Sequence, residues 1–132
     1  MDIFRPRLTL ANLLVIDAFT CAVMGVALCL FHAPVGGWTG IPGPLLFWAG
    51  AALLPVAAFM TTTALIWPAP SRATTIAIAG NALWIVASLA LPMSGAISPN
   101  PIGWAFLTTQ AVFVAMLTMA EHAATRPAIA AN

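Results

Sequence analysis

The chain has 132 residues, 62% of them hydrophobic and 5% charged, with a formal net charge of +1. That length holds one domain, and so apolar a composition excludes a disordered chain and argues against a water-soluble globule. With four basic residues in all there is no polybasic patch, which excludes nucleic acid as a partner.

Four apolar stretches, roughly 8–31, 45–67, 74–97 and 102–120, account for most of the chain. Each approaches or exceeds the ~20 residues a helix needs to cross a ~30 Å hydrocarbon core. The expected fold is all-α: a polytopic membrane protein built as an antiparallel bundle of four transmembrane helices, in a single domain over 1–132. Arg5 and Arg7 precede the first stretch, Arg72 lies between the second and third, and Arg126 follows the fourth. An even number of crossings puts all four on one face, so the positive-inside rule predicts both termini in the cytoplasm. Absent lysine and tyrosine with abundant alanine point to a GC-rich bacterial genome, hence to a multi-pass protein of the bacterial inner (cytoplasmic) membrane.

In the first stretch, Arg5 and Arg7 resemble the n-region of a signal peptide. The run that follows is longer than a 7–15 residue h-region and contains Asp17, so an uncleaved helix is expected. Asp17, Cys21, Gly25 and Cys29 recur at four-residue steps and form a narrow stripe of small or polar residues, a surface for close packing against protein. Cys21 and Cys29 lie about 12 Å apart along a helix, beyond disulfide reach. The connection His32–Pro44, with Pro34, Gly36 and Gly37, reads as a break in the helix, and Trp38 and Trp48 suit the outer membrane interface.

The second stretch carries Pro55 near its middle, expected to kink it, and Thr61, Thr62 and Thr63 toward its inner end. The turn Pro68-Ala69-Pro70-Ser71-Arg72 is short enough to force an antiparallel hairpin, with Ser71 placed to cap the third helix. That helix brings Gly80, Asn81 and Trp84 together, and is loosened at its outer end by Pro92 and Gly95. The fourth begins at Pro101, carries Trp104 and Gln110, and ends near Glu121 and His122, which are expected to reach water, with Glu121 paired to Arg72 or Arg126.

Asp17 is the one ionisable residue expected deep in the bilayer, about 13 Å from its end of the helix, with Asn81 about 10 Å and Gln110 about 15 Å deep. With Thr62 these residues define a polar layer between the midplane and the cytoplasmic face. An intramembrane acid is a candidate functional site. No arginine or histidine at that depth pairs with Asp17, so three readings stand: a polar clasp fixing helix register, in which an uncharged Asp17 donates to Asn81 or Gln110; a proton- or cation-linked site; or a group facing a partner protein. His32 and His122 lie at opposite ends and cannot share a metal. No metal spacing, catalytic motif or cofactor fingerprint is present, so neither an enzyme nor a cofactor is expected.

Asp17-Ala18 with Gly25, Ala49-Gly50 with Leu54-Pro55, Asn81-Ala82-Leu83-Trp84, and Gln110-Ala111 with Glu121 together resemble small four-helix bacterial inner-membrane proteins of no assigned activity. The resemblance covers residues 11–122, rests most on the Asn-Ala-Leu-Trp element, and singles out Asp17, Asn81, Trp84, Gln110 and Glu121. The architecture is also similar to the small multidrug resistance transporters, which have four short helices and an acid in the first. That likeness implies a dimer coupling proton movement to transport through Asp17, with Trp84 as a cation–π surface. The chain lacks that family's Trp-Ser-Gly type element in helix 3 and has a long Gly/Pro outer connection. The leading expectation is a non-catalytic membrane protein that binds a partner within the bilayer, as an accessory subunit or homo-oligomer, with the helix 1 stripe at Cys21 and Gly25 as the contact. The alternative is the proton-coupled transporter.

Overall fold

Runs this apolar leave the backbone one economical conformation in lipid, the helix, because only there does each N–H find a carbonyl within its own segment. The computed structural model of the chain describes residues 9–67 and 70–130, the last five by backbone alone. It contains four helices: α1 (Leu10–Thr39), α2 (Gly43–Ile66), α3 (Arg72–Met93) and α4 (Pro101–Ala130). All four are long and apolar enough to cross a membrane. Arg5, Arg7, the expected helix start at Leu8, Pro68 and Ala69 of the inner turn, and the side chain of Arg126 lie outside the described residues.

The helix ends follow local chemistry. Thr9 caps α1, its hydroxyl accepting from the Asn12 N–H at 3.1 Å. Ser71 and Thr74 form a reciprocal capping box at the start of α3. Asn100 caps α4, its side-chain oxygen accepting from the Gly103 N–H at 2.8 Å, with Pro101 following at the start of the helix.

Two boundaries differ from the sequence expectation. The His32–Pro44 segment is not a loop throughout: α1 kinks at Phe31 (φ −117°, ψ 23°) and resumes as helix to Thr39. Pro34 lies in the first turn after the kink, where its missing N–H has no carbonyl to serve, so it is tolerated there. The segment ends at Gly40, whose φ of 74° is the left-handed conformation of a helix C-cap. At the other end, α4 continues well beyond residue 120, because nothing from Glu121 to Thr125 breaks a helix.

α1 packs along α2, α4 lies against both α1 and α3, and α2 and α3 meet at few positions. The α1–α2 contact is tight because Gly25 faces Gly50; a Cβ on either would come within 2.8 Å of the other's carbonyl oxygen. The stripe on α1 is thus used within the chain, and the Cys29 thiol donates to the Phe47 carbonyl at 3.7 Å. Near the end where α1 starts, Leu10, Leu14 and Ala18 pack with Met60 and Ala64 of α2 and Ala77 of α3. Near the opposite end, Leu28, Ile41 and Leu46 form a second cluster. There α1 and α4 are stitched together: the Asn100 N–H donates to the Thr39 carbonyl and the Asn100 amide to the Trp38 carbonyl, both at 2.9 Å.

The short turn between α2 and α3 does not make them a packed hairpin. The polar face of α3 turns toward α1 and α4 instead, where Asp17, Glu121 and Gln110 bond to Asn81 and Trp84. The threonines of α2 use their hydroxyl protons locally: Thr61, Thr62 and Thr63 each donate to the carbonyl four residues back in their own helix.

Candidate functional site: a buried carboxyl–amide cluster beside a cavity between the helices

Asn81 of α3 is the hub. Its side-chain amide donates to Oδ2 of Asp17 at 2.7 Å and to Oε1 of Glu121 at 3.1 Å, tying three helices at one point. All three residues are buried: Asp17 is 1% exposed, Asn81 5% and Glu121 0%. The two carboxyl groups accept from the same amide nitrogen. Oε2 of Glu121 is buried and has no hydrogen-bond partner. Asp17 accepts one further contact, from the Cys21 thiol at 3.6 Å.

The placement of Glu121 corrects the sequence reading, in which it ends the fourth helix in water beside Arg72 or Arg126. Because α4 continues past residue 120, Glu121 is still on a helix face directed into the bundle, and it bonds to Asn81, while Arg72 is exposed. His122, the next residue, does face outward. Thr62 also departs from expectation. It is exposed and bonded to its own helix at Ala58, so it adds nothing to the polar cluster, whereas Thr63 is the buried threonine.

Gln110 and Trp84 make a second polar pair, the indole N–H donating to Oε1 of Gln110 at 2.8 Å. The Gln110 amide donates in turn to the Leu107 carbonyl at 3.0 Å. Gln110 is therefore bonded to α3 through Trp84 and not to Asp17. Of the expected layer, the structure brings Asp17 and Asn81 together, adds Glu121, sets Gln110 apart with Trp84, and leaves Thr62 outside. Gly25 belongs to the α1–α2 contact rather than to this site.

Asp17 and Asn81 of the first group and Trp84 and Gln110 of the second line one cavity of about 390 Å³ between the helices, and Glu121, bonded to the Asn81 amide, is not part of its wall. Its wall is otherwise apolar: Met24 and Cys21 of α1, Leu53, Val56, Phe59 and Met60 of α2, and Phe113 of α4. Gly80 lies on its rim with open space around its α-carbon, and Pro55 lies on the opposite rim. The cavity is within the ~300–1,000 Å³ range of small-molecule sites, which are commonly apolar with a few convergent polar groups. Among the described residues no group of three or more His, Cys, Asp or Glu side chains is arranged to hold a metal ion.

A carboxylate only accepts hydrogen bonds, and one amide cannot serve the four oxygens of two carboxylates. The donor deficit at Glu121 Oε2 is met by a proton on one of the pair, or by a donor brought in with a ligand. The arrangement can therefore hold and exchange a proton or seat a cationic head. Comparison with known protein families, curated proteins and solved structures finds no match in any of the three.

Proposed function

We propose that this is a multi-pass protein of the bacterial inner membrane with four antiparallel spans and both termini in the cytoplasm, and that it binds a small cationic amphipathic compound in exchange for a proton held by Asp17 and Glu121. It acts as a proton-coupled carrier of that compound without catalysing a covalent reaction. The orientation follows from Arg5, Arg7, Arg72 and Arg126 falling on one face of an even number of crossings.

The observation that carries this reading is one end of the cavity: a 390 Å³ apolar chamber is lined there by Asp17 and Asn81, and the Asn81 amide is shared with a second buried carboxyl group, Glu121. An ammonium group arriving at Asp17 brings donors and a positive charge, so the proton shared by the pair is released as the cation is seated. The membrane-partner reading drew on the small-residue stripe of α1, and that stripe is occupied by α2 through Gly25, Gly50 and Cys29. The lipid bilayer remains the one surrounding the exposed apolar faces require.

Octylammonium added to the purified protein in weakly buffered detergent, with a pH indicator, tests the exchange. The wild type is expected to release protons in proportion to saturable binding. Asp17→Asn and Glu121→Gln each lose the release, since either leaves the pair without its shared proton. Release that persists in both variants, or binding with no release in the wild type, removes the coupling role.

A further inference from the structure

A second cavity, of about 210 Å³, lies on the outer side of the first. The two share three wall residues, Met24, Trp84 and Gln110, so one groove is divided by a waist. The waist is held by the Trp84–Gln110 hydrogen bond and by the bond from the Gln110 amide to Leu107. Outward of it the wall is Leu28, Leu45, Leu46, Ala87, Leu91 and Phe106, with one additional polar side chain, Ser88. The Ser88 hydroxyl already donates to the Trp84 carbonyl at 2.7 Å, and both heads of the Gln110 amide are engaged. The outer chamber therefore keeps little for a polar ligand beyond the second N–H of the Gln110 amide, while the inner one ends on Asp17 and Asn81, whose amide also holds Glu121. The groove is polar at one end and largely apolar at the other, and its axis follows the helices.

We propose that the two chambers form one site for a single-chain amphiphile with a cationic, hydrogen-bond-donating head. The head rests at Asp17 and Asn81, with Glu121 bonded to the same amide, and the tail passes the waist between Met24, Trp84 and Gln110 into the outer chamber. The ten helical steps of α3 from Asn81 to Leu91 span about 15 Å, which suits a straight alkyl chain of medium length and not a branched or two-tailed lipid. The waist selects against bulk, because widening it breaks the Trp84–Gln110 bond. The inference rests on the proton-exchange reading and extends it to the shape of the compound.

The test compares binding of butylammonium and dodecylammonium, by calorimetry in detergent, in the wild type and in Ala87→Phe, which puts a ring into the outer chamber from an exposed position of α3. Burial of each added methylene gives the longer amine an advantage, expected to be tenfold or more in the wild type. Ala87→Phe is expected to reduce that ratio by about tenfold or more, and Ala49→Leu, reaching the same chamber from α2, is a second variant should the first fail to fold. A ratio equal in wild type and variants places the tail in detergent and overturns the inference, while leaving proton exchange intact. If neither amine displaces a proton from the wild type, the exchange reading falls and this one with it.

Discussion

At the scale of single residues, the cluster at Asn81 carries a specific energetic prediction. Among the described residues, the donors that reach the two carboxyl groups from outside α1 both come from the Asn81 amide. Asn81→Leu leaves both acids facing one another without it, and buried groups stripped of a partner cost about 1–3 kcal/mol each, more when charged. Asn81→Leu is therefore expected to be the most destabilising single change in the cluster, and Glu121→Gln, which keeps an oxygen for Asn81 to bond, the mildest. Denaturant titration in mild detergent ranks them; the opposite order would mean that the amide is peripheral to the pair. Asp17 and Asn81 were legible in the sequence because polar side chains deep in apolar runs stand out. Glu121 was misread because the fourth apolar run thins out before it, and an acid beside a histidine resembles a boundary with water. The signal was its spacing: Glu121 lies about three helical turns from Gln110, so if the helix continues both share a face.

At the scale of elements, two glycines with opposite surroundings separate packing from function. A Cβ at Gly25 would sit 2.8 Å from the Gly50 carbonyl oxygen and 3.2 Å from Leu53 Cβ, with backbone on one side that cannot give way. Gly25→Ala is expected to destabilise the chain by about 1–3 kcal/mol through overpacking, and Gly25→Leu to separate α1 from α2. At Gly80 the added atom meets nothing, so Gly80→Ala is neutral or gains up to about 1 kcal/mol from helix propensity. Thermal unfolding of the two alanine variants side by side checks the contrast, and equal effects would refute the close approach of α1 and α2. The helices themselves were legible from their apolar runs, and the caps at Ser71 and Pro101 from residue type. The outer part of α1 was not, since proline and two glycines within four residues of each other read as a break. In the structure the break falls earlier, at Phe31, and the proline opens a new helical turn.

At the scale of the whole molecule, the arrangement α2–α1–α4–α3 leaves one sparsely packed seam, between α2 and α3. Sequence order pointed the other way, since a turn as short as 67–71 reads as joining packed neighbours. What overrides it is the bonding of α3 to α1 and α4 through Asn81 and Trp84, against an α2 whose threonines satisfy themselves. The seam is flanked by exposed apolar side chains, Phe59 of α2 and Ile76 of α3, both on the cavity wall. A cavity bordered this way opens sideways to acyl chains rather than endwise to water, which is how an amphiphile dissolved in the bilayer would reach the carboxyl pair. Trp84, part-buried on the cavity wall, reports on this directly once Trp38, Trp48, Trp67 and Trp104 are replaced by phenylalanine. Its fluorescence is expected to be quenched strongly by lipids brominated on the acyl chain and weakly by acrylamide in water. Gly80→Leu, which fills open space on the cavity rim, is expected to reduce the lipid quenching while leaving the helix content unchanged. Strong acrylamide quenching with none from lipid would mean that the chamber communicates with water, and access from the bilayer through the α2–α3 seam would then be wrong.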